Sequence, residues 1–150
     1  MVWGGIMANS RTNLIFVDGN LNAQQYCDEV LTPVVVPFMA ERRDVIFQQD
    51  NARPHSARLT REHLELHHIN VLPWPAVSPD LSPIEHVWDE MKRRLRKLPE
   101  RQQPANANQL AQTLQTIWKE IPQEQLLHLV ASMRRRCNTV VDANGGHTVY

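Results

Sequence analysis

Cysteine is scarce in this chain, and its two copies, Cys27 and Cys137, lie far apart and form no metal-type pair. That excludes a disulfide scaffold and fits a reducing compartment, with burial as small apolar side chains the expected role of both. Long hydrophobic runs are also missing. The longest, Val34-Val35-Val36 with Phe38-Met39-Ala40, is broken by Pro37 and is far too short to span a bilayer. No basic region followed by an apolar stretch opens the chain, so no signal peptide is expected, and the reading is of a soluble intracellular protein. Nor is there an excess of either charge: 16 basic and 16 acidic residues give a formal net charge of zero. Any argument for a nucleic-acid partner must therefore rest on local clusters. What is present is a hydrophobic fraction of 42% in 150 residues, enough for one core.

The pattern along the chain is that of an α/β protein. Val2 to Ala8 and Asn13 to Val17 are β-rich runs around Asn9-Ser10-Arg11-Thr12, which predicts a hairpin. Asp18-Gly19-Asn20 closes it with turn chemistry. Asn22 followed by Gln25 predicts a capping box opening a helix with Tyr26, Val30 and Leu31 on one face. Thr32-Pro33 predicts a kink and a restart through about Arg42. Val45-Ile46-Phe47 predicts a strand covered on both faces, and Ile69 to Leu72 another. Between them, His55 to His67 predicts a helix offering Ala57, Leu59 and Leu64 for burial. A proline-punctuated loop, Pro73 to Pro79, follows.

Ile84, Val87, Trp88, Met91, Leu95 and Leu98 recur at helical spacing, with Ser82 at the N-cap and Pro83 at the first helical position. After a polar linker around Pro99 to Pro104, helices are expected from Asn108 to Ile121 and from Gln123 to Arg136, then an irregular tail. The whole chain reads as one domain, with a core over about residues 1–98 and a helical extension over 99–150.

Two carboxylates stand where chemistry could sit. Asp50 follows the carboxyl end of a strand, the edge at which open α/β sheets bind ligands. Glu85 lies in the first turn of the strongest helix. Converging carboxylates make a hard-oxygen site for Mg²⁺ or Mn²⁺, ions suited to phosphoryl transfer. Plainer readings stand beside these. Asp50-Asn51 is turn chemistry, and Ser82-Pro83-Ile84-Glu85 has the text of a capping box. Capping and metal binding compete for the same oxygens, so the metal reading requires that Glu85 does not cap. Lys92, Arg93, Arg94, Arg96 and Lys97 could touch phosphates, or could be a solvated helix end that complements the helix dipole. Arg134-Arg135-Arg136 points less specifically to phosphate contact. Asp89, one turn after Glu85, could reach the same metal but better suits an ion pair with Arg93. His63 and His67, spaced i, i+4, could place two ligands on one helical face but better suit a solvated helix end.

The stretch Gln48-Gln49-Asp50-Asn51-Ala52-Arg53-Pro54-His55, then Leu72-Pro73-Trp74-Pro75 and Ser78-Pro79-Asp80-Leu81-Ser82-Pro83-Ile84-Glu85-His86 with Trp88, resembles the Tc/mariner superfamily of DDE transposases. The resemblance covers nearly the whole chain. Between Asp50 and Glu85 lie 34 residues, matching the Tc-type subgroup. Val2-Trp3-Gly4-Gly5 is similar to the family's second core strand.

The resemblance implies a ribonuclease-H-like mixed sheet flanked by helices. It makes Asp50 and Glu85 the second and third acids of a catalytic triad that binds Mg²⁺ or Mn²⁺. The implied reaction is cleavage and strand transfer of transposon ends in the nucleus, with DNA as partner and self-association in prospect. The family's first acid lies on a strand upstream of Val2 to Ala8, and no residue here matches it. Asp18 belongs to a turn. The expectation is therefore a catalytic-core fragment that lacks its first strand and is inactive alone. The alternative is a transposon-derived DNA-binding or self-associating protein without catalysis.

Overall fold

The computed structural model describes residues 1–76 and 78–146, so Val77 of the proline-rich loop and residues 147–150 of the tail lie outside the described residues. No described helix is long and apolar enough to cross a membrane. The chain divides into two compact units. One takes Met1–Trp3 and the chain from Ile15 to the loop after Trp74; the other takes Gly4–Leu14 and the chain from Ser78 onward.

The hairpin forms, but with a shorter ladder than expected. β1 (Val2–Trp3) pairs antiparallel with β2 (Ile15–Phe16), Val2 opposite Phe16 and Trp3 opposite Ile15. Nearer the tip, Ile6 bridges Arg11. Two residues separate these pairings on one side and three on the other, so the second side carries a bulge. Thr12 fills it: its N–H donates to the Gly5 carbonyl at 2.9 Å, and its hydroxyl oxygen accepts the Gly5 N–H at 2.8 Å. The turn sits earlier than the sequence suggests, closed by the Met7 N–H on the Ser10 carbonyl at 2.8 Å.

In the first unit the predicted capping box is complete. The Asn22 side chain accepts the Gln25 N–H at 2.9 Å, and the Gln25 side chain accepts the Asn22 N–H at 3.3 Å. The helix then runs as α1 (Ala23–Gln25), a π-helical segment (Tyr26–Val35) and α2 (Val36–Ala40). The predicted break at Thr32-Pro33 does not occur. An α-helix would press the proline ring against the carbonyl four residues back. Here the helix takes the wider π register, as the bond from the Val36 N–H to the carbonyl of Leu31, five residues back, shows, and Pro33 lies inside it.

Tyr26, Cys27, Val30, Leu31 and Val35 form the buried face and pack with Val17, Leu64 and Ile69. The helix expected over His55 to His67 is two pieces, α3 (Arg53–Ser56) and α4 (Arg58–Leu66), separated by Ala57 in an extended conformation. α4 buries Thr60 and Leu64, whereas Leu59 is 41% exposed. Thr60 is tolerated inside because its hydroxyl donates to the Pro54 carbonyl at 2.5 Å.

The strand predicted at Val45-Ile46-Phe47 shrinks to one parallel bridge, Phe47 to Val71. Phe47 uses both backbone groups there, donating to Asn70 and accepting from Leu72, each at 2.8 Å. It is not covered on both faces, since Ile46 is 62% exposed.

The second unit is helical. A 3₁₀ turn (Pro79–Leu81) leads into α5 (Pro83–Arg96), followed by α6 (Ala107–Glu120), α7 (Gln123–Ala131) and α8 (Met133–Asp142). The last two replace the single helix expected to end at Arg136, and α8 runs through residues assigned to the irregular tail. α5 buries Val87 and Met91 and packs on α6 and α7. The Trp88 and Trp118 rings stack at 5.7 Å. Gly4 lies under both: a Cβ there would stand 3.2 Å from each indole and 3.0 Å from Leu14. Cys27 is buried as expected, but Cys137 is exposed on α8, so packing does not account for it.

Leu31 has no exposed surface, so Leu31→Ala is expected to destabilise the chain by about 2–5 kcal/mol in chemical denaturation. Leu59→Ala, at a partly exposed position, should change stability much less.

Candidate active site

Asp50 follows the Phe47 bridge and precedes α3, whose N-cap is Ala52. Its carboxylate is 65% exposed. Oδ1 accepts two hydrogen bonds, from the Ala52 N–H at 3.0 Å and from His55 Nδ1 at 2.6 Å. The first is the turn chemistry read in Asp50-Asn51. Asn51 itself turns away and donates to the Trp74 carbonyl at 2.8 Å, tying the proline-rich loop to the segment that carries Asp50. Both bonds fall on Oδ1, and among the described residues none falls on Oδ2.

His55 is itself held. Its side chain is 16% exposed, and its ring lies 4.4 Å from that of Tyr26. Tyr26 is fully buried, and its hydroxyl donates to Gln49 Oε1 at 2.8 Å. Burial pushes the Tyr26 phenol well above its ordinary range, so it stays neutral and acts as a donor. The sequence flagged Gln49, Asp50 and His55 by resemblance, but not the bond between the last two. That bond depends on the turn through Ala52.

In the second unit Glu85 is exposed in the first turn of α5. The capping box is not formed, because the Ser82 side chain makes no cap bond and its N–H goes to the Pro79 carbonyl at 3.0 Å. The turn before α5 is fixed from α8. Arg136, only 2% exposed, donates from Nη1 to the Asp80 carbonyl and from Nε to the Ser132 hydroxyl, both at 2.8 Å. Arg136 is therefore a structural residue and not part of a phosphate-facing Arg134-Arg135-Arg136 run. Burial, then the Arg136 charge, lowers the pKa of His86 beside Glu85.

The basic end of α5 is partly spoken for. Glu90 receives Arg93 Nη2 at 2.5 Å and Arg94 Nε at 2.6 Å, while Lys92 pairs with Asp89 at 3.4 Å. The expected pairing of Asp89 with Arg93 is thus replaced. Glu90 sits three and four residues before the two arginines, and that spacing could have revealed it. Arg96 and Lys97 make no ion pair among the described residues. Together with Lys92, Arg93 and Asp89 they line a shallow surface depression.

His63 and His67 lie with rings 4.7 Å apart, and His63 Nε2 is 3.2 Å from the Thr32 hydroxyl. Among the described residues no group of three His, Cys, Asp or Glu side chains is arranged to hold a metal ion.

Comparison with known proteins defines the class. The fold is that of the Mos1 transposase catalytic domain, a ribonuclease-H-like domain. The Mos1 domain solved with raltegravir and Mn superposes with a TM-score of 0.75 at 21% identity, over 99% of this chain and 82% of that one. The Mos1 paired end complex with Mg gives 0.79 at 24% identity, over 95% of this chain and 42% of that one. Residues 1–110 match the family model described as DDE superfamily endonuclease.

The chain is also 36% identical, over its full length, to the Tcb2 transposase of Caenorhabditis briggsae and to the Tc1 and Tc3 transposases of Caenorhabditis elegans. It therefore belongs to the Tc/mariner branch of the DDE endonucleases. It spans 54% of the Tcb2 and Tc1 proteins and 45% of Tc3, about half the length of these relatives.

The forked pair on Glu90 makes a pH prediction. The Arg94 and Arg93 bonds hold the Glu90 carboxyl below its ordinary 4.5. Its contribution to stability is complete above that ordinary value and is lost as pH falls through the depressed one. Glu90→Gln should therefore lower stability near neutrality and flatten its decline below about pH 4.5, the ordinary value, when unfolding is followed across pH.

Proposed function

We propose that this chain is part of the catalytic core of a Tc-type transposase, in which Asp50 and Glu85 are two carboxylates of a divalent-metal site that cuts and joins DNA. The carrying observation is the spacing of the two acids, with 34 residues between them, inside the stretch matched by the family model. Asp50 suits a hard cation. It is acceptor-only and mostly exposed, and among the described residues its Oδ2 makes no hydrogen bond while Oδ1 is anchored. Glu85 is exposed at a helix start whose capping box is not formed, which fits the same use. Mg²⁺ or Mn²⁺, when bound, would supply charge that activates an attacking oxygen and steadies the leaving one.

The residues of the chain do the holding. Asp50 and Glu85 bind through carboxylate oxygens. Lys92, Arg93, Arg94, Arg96 and Lys97 supply positive charge toward phosphates of transposon-end and target DNA. Arg96 and Lys97 carry most of that role, because Glu90 and Asp89 already engage the others. Residues 1–98 serve as the core and 99–150 as a helical extension, with action in the nucleus and a second copy as a further partner. Two carboxylates are an incomplete seat for two ions, so the 150 residues by themselves should not cleave DNA.

A chimera tests this reading: these 150 residues replace the matching segment of the Tc1 transposase, and excision is measured with Mg²⁺. Excision should fall at least about 100-fold with Asp50→Asn or with Glu85→Gln, as for loss of a group that stabilises a transition state electrostatically. Excision that survives either change would sink the assignment. Neutralising Arg96 and Lys97 together should weaken duplex binding and reduce its salt dependence by about two charges.

A further inference from the structure

The environment of Asp50 goes one step beyond its assignment as a metal-binding carboxylate. We infer that His55 is a positioning residue that fixes the Asp50 carboxylate by donating from Nδ1 to Oδ1, so that Oδ2 is presented to a divalent cation. The inference rests on the proposed metal role of Asp50 and identifies what aims that ligand.

A carboxylate on an exposed turn can rotate about its side-chain torsions, and rotation spoils a metal ligand. Here two donors converge on one oxygen. The Ala52 N–H, at 3.0 Å, belongs to the first turn of chain after Asp50, and His55 Nδ1, at 2.6 Å, comes from within α3. Neither bonds Oδ2, which accepts no hydrogen bond from the other described residues. A carboxylate only accepts, so Nδ1 must carry the proton, and in the neutral ring Nε2 is then the acceptor. The short distance is that of a charge-assisted bond.

What makes the histidine an anchor is its own support. Its ring is largely buried against Tyr26, with ring centres 4.4 Å apart. Tyr26 is fixed in the core and bonded to Gln49, whose side-chain amide in turn donates to the His55 carbonyl at 3.4 Å. A continuous set of contacts thus runs from the buried helix face through His55 to one carboxylate oxygen. Partners of this kind, behind a metal-binding group, set its orientation and basicity.

The test uses the 150-residue chain and Mn²⁺ alone. Binding is followed by paramagnetic broadening of the backbone amide signals around Asp50, with ¹⁵N shifts of the His55 ring read in parallel. Four proteins are compared: the parent, Asp50→Asn, His55→Phe and His55→Asn. Phenylalanine keeps a ring against Tyr26 but has no donor, whereas the asparagine amide places an N–H close to the Nδ1 position.

The expected result is that Asp50→Asn abolishes the broadening and that His55→Phe weakens Mn²⁺ binding about 10-fold or more. His55→Asn should restore most of it, and the parent ring should show Nδ1 protonated. If Asp50→Asn weakens binding but His55→Phe does not, the positioning role is wrong and the metal site stands. If Phe and Asn weaken it equally, packing and not the hydrogen bond is responsible, and the inference fails. If Asp50→Asn leaves binding unchanged, the metal reading itself falls and takes this inference with it. Thermal melts of each variant separate a binding loss from unfolding.

Discussion

The first unit depends on one buried phenol. A tyrosine with no exposed surface must find a partner for its hydroxyl, because an unpaired buried polar group costs about 1–3 kcal/mol. Tyr26 finds it in Gln49, one residue before Asp50. The hydrophobic face of the first long helix and the segment carrying the candidate acid are therefore parts of one arrangement. Packing places the ring, the ring's hydroxyl places Gln49, and its face supports His55, which holds Asp50. Fold stability and site geometry are coupled here through contacts that can be named.

That arrangement requires the Tyr26 helix to run on past Pro33 without an interruption. Val30, Leu31 and Val35 lie on either side of the proline and are all buried against the same cluster. A break would rotate Val35 away from the face that Tyr26 and Leu31 share. The π register lets the chain keep a proline and one continuous buried face together. The sequence pattern predicted the face correctly and the break wrongly, because the rule that proline ends a helix presumes α-helical hydrogen bonding.

Local chemistry was legible elsewhere to a similar depth. The Asn22–Gln25 box, the turn at Gly19 with φ +68° and the buried seam of α5 follow from short-range spacing, and all are present. Long-range pairing was less readable. Three apolar residues at Val45 to Phe47 look the same whether or not a neighbouring strand covers them, and Ile46 lies open. The two acids were visible only because resemblance picked them from among ordinary turn and cap residues. Their supporting groups were harder still. His55 reaches Asp50 only once the chain turns at Ala52, and Arg136 reaches the Asp80 carbonyl from a helix more than fifty residues further on.

Arg136 also shows why charge runs mislead. Arg134, Arg135 and Arg136 look equivalent in sequence, yet successive residues on a helix point about 100° apart, so one of three can be buried while the others are exposed. The buried one donates to a backbone carbonyl and a hydroxyl oxygen, which lets it hold the turn that starts α5. The same logic separates Arg93 and Arg94, drawn onto Glu90, from Arg96 and Lys97 at the helix end. Cations already bonded to a carboxylate must give up that partner to meet a phosphate. The positive charge not already paired among the described residues thus lies mainly in the last turn of α5, where the helix dipole also favours it.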